Sequence, residues 1–199
     1  MLSADGVPVL IHDETLERTT TGCGKVADTF ASVLAGLDAG TRHHRAFAGE
    51  PVPTLTQALE ACADLGLWAN VEIKPSPGHE SETGRLVART AAGHRNVLLS
   101  SFSIESLHQA AIVAGELPRA LLIDAIADDS LLLMRELGAV GLHVPAHLLT
   151  ADLLRAVRTA GSAVACYTVN HRDEAERLLA DGVAAVFTDR PDHWRPAEM

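Results

Sequence analysis

Cysteine is scarce: Cys23, Cys62 and Cys166 lie far apart in 199 residues, with no CxxC pair. An odd, scattered set speaks against a disulfide framework and points to a reducing compartment. Positive charge is also in short supply, 16 Lys and Arg against 26 Asp and Glu, a formal net charge of −10. That balance argues against nonspecific nucleic-acid binding, which needs a basic surface. It does not exclude a phosphate substrate, because a few local cations or a metal can override the global sign. No apolar run approaches the roughly 20 residues of a membrane helix, and the start, "MLSADGVPV", turns polar too soon for a signal peptide. These absences together read as a soluble, cytoplasmic protein with no membrane insertion. The GxGxxG, GxxxxGK[ST] and GxSxG sequences are missing as well, which removes the usual dinucleotide, P-loop and serine-hydrolase signatures.

What is present is alternation. Short apolar runs at Val7–His12, Leu67–Lys74, Asn96–Phe102, Arg119–Asp124, Val140–Val144, Ser162–Val169 and Ala184–Asp189 read as strands. Helical segments lie between most of them. Thr54 and Gln57 form a capping box with Gly66 as the stop, and further helices run from Ser103 to Gly115, Thr150 to Gly161 and Asn170 to Gly182. Regular β-α alternation implies a parallel sheet, either doubly wound or closed as a (β/α)8 TIM-type barrel. Placement of chemistry favours the barrel. His12-Asp13, Glu72 with Lys74, Ser100-Ser101, Tyr167 and Asp189 fall at or near C-terminal strand ends, where barrel active sites are built. No linker or repeat interrupts residues 1–199, so one domain is expected.

In "NVEIK", residues 70–74, Glu72 and Lys74 alternate with Val71 and Ile73 and so share one side of a strand. If that side is the barrel interior, the pair needs compensation, as a structural ion pair or as ligands of a metal or substrate. His12 is either a hydrogen-bonding residue or a proton-transfer group, and Asp13 could simply cap or turn the chain. One His, one Glu and one Lys at strand ends suit phosphate ester chemistry: a hard cation on Glu72, a phosphate oxygen on Lys74, a proton on His12. A single carboxylate is a poor divalent site, and the set looks half complete.

The segments "SADGVPVLIHDETLERTTTGCGKV", "VPTLTQALE", "NVEIK", "LLSSF", "YTVN" and "FTDRP" occur in the order seen in glycerophosphodiester phosphodiesterases. The chain resembles the cytoplasmic bacterial members most, over nearly its whole length. The resemblance implies a (β/α)8 barrel that hydrolyses glycerophosphodiesters to glycerol 3-phosphate and an alcohol with a divalent cation, Mg or Ca. It implies that His12 is one of two catalytic histidines, that Glu72 is a metal ligand and that Lys74 lies near the phosphate. Phe102, Tyr167 and Asn170 match positions around the substrate pocket; many relatives have Trp where Tyr167 stands.

One departure is large. The family's opening His-Arg-Gly strand and its Glu-x-Asp motif, which supply the other histidine and two metal ligands, are not in this chain. The expectation is a barrel lacking its first strands, cut between the second metal ligand and the Asp5-Gly6 turn, with activity impaired or lost. Seven runs plus two missing strands make nine, one more than a barrel holds. Exposed sheet edges in such a chain favour self-association. A catalytically degenerate barrel that binds a phosphorylated ligand or a protein partner is the alternative.

Overall fold

The computed structural model describes residues 1–127 and 129–194. The chain forms two compact units, Met1–Pro118 and Arg119–Met199. The fold class is α/β, built from parallel strands and intervening helices as in a (β/α)8 TIM-type barrel.

In the first unit, β1 (Ala69–Glu72) and β2 (Val97–Ser101) pair in parallel, with Glu72 opposite Ser100. Four helices accompany them: α1 (Ala31–Leu34), α2 (Leu55–Asp64), α3 (Glu80–Ala91) and α4 (Ile104–Val113). The capping box at α2 forms as its sequence implies. The Thr54 hydroxyl accepts from the Gln57 amide at 3.3 Å, and Gln57 Oε1 accepts from the Thr54 amide at 2.9 Å. Ser103 caps α4 in the same way, its Oγ accepting from the Ser106 amide at 3.1 Å.

Leu55, Leu59, Ile73, Val87, Val97 and Leu99 are buried together, so α2, α3 and the two strands share one apolar core. Helices α3 and α4 meet closely at Gly84, where a Cβ would fall 2.3 Å from the Ser106 carbonyl oxygen. Only glycine permits that approach. A second core gathers Met1, Val9, Leu16, Val26, Leu34 and Val52, holding the turn-rich segment before α2.

In the second unit, β3 (Arg119–Leu122), β4 (Gly141–Pro145), β5 (Ala163–Tyr167) and β6 (Ala185–Val186) pair in parallel and in chain order. Helices α5 (Ser130–Glu136), α6 (Ala151–Thr159) and α7 (Arg172–Asp181) connect them. Thr150 caps α6, and Gly182, at φ 104°, ends α7 in the left-handed region that favours glycine.

Two sequence expectations are corrected. Val7–His12 is not a sheet strand: it makes only isolated antiparallel bridges, Leu2 with Pro8 and Val9 with Thr54. Pro8 has no amide to give a ladder, and its carbonyl is taken by the Leu55 amide at 2.9 Å. Helix α7 begins at Arg172, with His171 as its cap, rather than at Asn170, whose side chain bonds elsewhere, as described below. Among the described residues, no helix is long and apolar enough to cross a membrane, and Cys23, Cys62 and Cys166 are free thiols.

Candidate active site

In the first unit, Ala69, Val71 and Ile73 turn toward the helices, while Asn70 and Glu72 are exposed on the other face of β1. The strand period thus delivers Glu72 and Lys74 to one side, as "NVEIK" predicts. Their burial is not as anticipated: Glu72 is exposed and Lys74 half-buried. No ion pair joins them among the described residues, so neither carries the desolvation cost of a buried pair.

His12 comes to the same place from a different direction. Its Nε2 lies 3.5 Å from Lys74 Nζ. Its Nδ1 lies 2.7 Å from Asp13 Oδ1. Arg18 grips the same carboxylate with two donors, Nη2 to Oδ1 at 2.7 Å and Nε to Oδ2. The Arg18 hydrogen bonds, and then the one from His12, hold the Asp13 carboxyl well below the usual carboxylate range. The Asp13 partnership in turn raises the Arg18 guanidinium.

His12, Glu72 and Lys74 line a cavity of about 440 Å³. Its walls are apolar, with Val9, Leu10, Leu59 and Trp68 among them. An apolar cavity with a few convergent polar groups is the usual form of a small-molecule site. Phe102 follows β2 directly and is 45% exposed. Ser100, opposite Glu72, has a buried hydroxyl with no hydrogen-bond partner among the described residues.

The second unit holds the other two predicted residues. Tyr167 ends β5, and its hydroxyl donates to the Ile123 carbonyl at 2.7 Å. Asn170 Oδ1 accepts from the Asp189 amide at 2.8 Å and from the Thr188 hydroxyl at 3.1 Å, while Nδ2 donates to Asp189 Oδ2 at 3.2 Å. Asn170 therefore fastens the end of β5 to the segment after β6. A larger cavity in this unit, about 690 Å³, is lined by Arg155, Arg158 and Asp181 and by none of the predicted site residues.

Sequence reasoning overlooked the Arg18–Asp13 clamp. Asp13 had a visible clue, its place beside His12, but nothing in the periodicity of "DETLER" links Arg18 to it. The metal expectation also meets a limit. Among the described residues, no three His, Cys, Asp or Glu side chains lie close enough to share an ion. A hard divalent cation takes six or more oxygens, commonly from several carboxylates. Glu72 with its described surroundings does not fit that requirement.

The chain matches the glycerophosphoryl diester phosphodiesterase family over residues 1–193. It is 31% identical over 195 residues to a glycerophosphodiester phosphodiesterase of Caldanaerobacter subterraneus, covering 96% of this chain and 80% of that protein. A Bacillus subtilis glycerophosphodiester phosphodiesterase is also 31% identical, with 96% and 72% covered. An Oleispira antarctica phosphodiesterase, solved in complex with the product sn-glycerol-3-phosphate, superposes with a TM-score of 0.92 at 32% identity, over 97% of this chain and 80% of that one. With the parallel βα architecture and a histidine–lysine–carboxylate cavity already in place, this extent of similarity settles the family: the chain belongs to the glycerophosphoryl diester phosphodiesterases.

Proposed function

We propose that the chain carries part of a glycerophosphodiester-hydrolysing site, in which His12 moves a proton and Lys74 holds the phosphate. The observation that carries this reading is the meeting of His12 Nε2 and Lys74 Nζ, 3.5 Å apart, on the lining of a largely apolar cavity. The Lys74 ammonium meets a non-bridging phosphate oxygen and stabilises charge as the P–O bond breaks. His12 Nε2 accepts the proton of the attacking hydroxyl, or returns one to the departing alkoxide; one imidazole performs one of these transfers at a time. Glu72 orients polar groups of the substrate from the same strand face. Phe102 offers apolar surface to the glycerol or headgroup, and Tyr167 and Asn170 are assigned to substrate contact on the family resemblance alone. No step here runs through a metal, because the described donor set does not fit one.

Among the described residues one imidazole, His12, converges here with the Asp13 and Glu72 carboxylates, which favours slow turnover by residues 1–199. The test is release of glycerol 3-phosphate from glycerophosphocholine, measured without added metal and with Mg or Ca. We expect a rate about 100-fold or more below that of a relative with a second acid/base group. Turnover at a relative's rate overturns the impairment. Absence of both release and sn-glycerol 3-phosphate binding overturns the substrate class. Binding without release favours the alternative, a degenerate barrel that retains a phosphorylated ligand.

The chain is also proposed to self-associate. Among the described residues β1 pairs only with β2, and Leu65, Leu67 and Trp68 beside it are 72%, 53% and 68% exposed. An unpaired edge flanked by exposed apolar side chains invites a second strand. Sedimentation at increasing concentration is expected to show dimers or larger species; a single monomeric species throughout would contradict this.

A further inference from the structure

His12 is 71% exposed at its side chain, yet it is not left to rotate. Three neighbours surround the ring: Asp13 at Nδ1, Lys74 at Nε2, and Arg18, whose Nη2 donates to Asp13 Oδ1 at 2.7 Å and stands 3.4 Å from Nδ1, farther than the 2.7 Å of the Asp13 contact. An ionised carboxylate only accepts, so the Asp13 contact requires a proton on Nδ1. Nε2 is then the bare nitrogen, turned toward Lys74. The Arg18 fork occupies both oxygens of Asp13 and fixes the plane in which the carboxylate meets the ring.

The loop that supplies Arg18 is itself held. Leu16, on one side, is 2% exposed in the apolar core, and Thr20, on the other, is fully buried. The Thr20 hydroxyl donates to the Leu16 carbonyl at 2.7 Å, and the Leu16 amide donates to the Gly24 carbonyl at 3.0 Å. The base of this loop is closed by the Thr15–Lys25 bridge and by the Val26 amide donating to the Glu14 carbonyl at 2.9 Å. Arg18 therefore approaches Asp13 from a fixed turn anchored at both ends.

We propose that Asp13 and Arg18 are positioning residues for His12: Arg18 clamps Asp13, and Asp13 holds the imidazole as the Nδ1–H tautomer with Nε2 free for proton transfer. This rests on the reading of His12 given above. A purely structural role is a weak competitor. The Arg18 and Asp13 side chains are 63% and 25% exposed, and ion pairs so open to water add little to folding stability. Control of a tautomer needs no large stability term; it needs only that one ring nitrogen be better satisfied when protonated.

The test is the ¹⁵N spectrum of the His12 ring in the full chain, at a pH where the ring is neutral. In the wild type the proposal requires a protonated Nδ1 and an unprotonated Nε2. In Asp13→Ala the majority form is expected to become Nε2–H. Arg18→Ala is expected to give a mixture, and Arg18→Lys, which keeps the charge but loses the fork, a smaller change. An Nε2–H ring in the wild type overturns the proposal, and so does an unchanged Nδ1–H ring in a folded Asp13→Ala variant. The wild-type spectrum needs no substitution, so it decides the matter even if a variant misfolds. Where release is measurable, Asp13→Ala is expected to lower kcat about 10- to 100-fold with KM held within about twofold. His12→Ala tests the underlying assignment separately: release unaffected by that change overturns the catalytic role of His12, whatever its tautomer.

Discussion

Lys74→Met is expected to weaken binding of sn-glycerol 3-phosphate by about 10- to 100-fold. A hydrogen bond to a charged partner contributes roughly 1.5–3 kcal/mol, and about 1.4 kcal/mol is a factor of ten in affinity. Lys74 is half-buried, so its ammonium is only partly screened, and methionine keeps an unbranched stem along the same apolar wall. The substitution therefore removes the charge with little change in packing. Among the described residues the hydrogen-bond contact of Nζ is the 3.5 Å approach to His12, too long to matter much for stability. Titration calorimetry at low and high salt measures the effect. The wild type should lose affinity as salt rises, and the variant should lose less. Equal affinity in both proteins would remove Lys74 from the phosphate site.

His143 makes the second large effect, on stability against pH. It lies on β4, 6% exposed, with its ring 4.9 Å from Phe187 in an edge-to-face arrangement. Its Nδ1 is buried and has no hydrogen-bond partner among the described residues. Burial pushes the imidazole down to about 4, because the charged form loses its water. The unfolded chain binds that proton near pH 6.5. Between about pH 6.5 and 4 the unfolded state therefore holds more protons than the folded one, and stability falls as pH falls. The loss is on the order of 2 kcal/mol by pH 5 and about 3 kcal/mol near pH 4.

His143→Phe removes the titrating group and the unsatisfied nitrogen while keeping a ring against Phe187. It is expected to flatten the dependence between pH 7 and 5 and to leave stability at pH 7 unchanged or higher. Urea unfolding at the two pH values measures this; the same slope in variant and wild type would overturn it. Asp38 keeps its own transition apart from this window. It accepts from the Thr41 hydroxyl and from the amides of Thr41, Gly49 and Gly40, and those bonds, the Thr41 hydroxyl's foremost, lower it to about 2. Its stabilising contribution is present above about pH 4 and is lost only as pH falls toward 2.

Much of this was open to inspection in the residues alone. Thr54 with Gln57, Ser103 and Thr150 mark helix starts because a cap is a contract among neighbours in sequence. The alternation in "NVEIK" places Glu72 and Lys74 on one face because a strand repeats every two residues. The six ordered motifs pointed to the family that the match over residues 1–193 establishes. Such signals are local, or are carried by order along the chain, so they survive without coordinates.

Other features belong to tertiary structure. Val7–His12 has a strand's composition, but strand identity depends on a partner, and here the partners are isolated positions at Leu2 and Thr54. Asn170 seemed to open a helix, yet the Asp189 amide and Thr188 hydroxyl, far along the chain, claim its carbonyl oxygen. Glu72 is exposed because burial depends on what packs over a face, and strand period reports only which face it is. His12 was suspect from its neighbours in sequence; its contact with Lys74, 62 residues away, was not. What the sequence by itself determined was the period of most elements, several helix caps and the family, all encoded by short-range pattern and order. What only the tertiary structure decided was who meets whom, because hydrogen bonds and desolvation depend on distances that the chain sets when it folds back on itself.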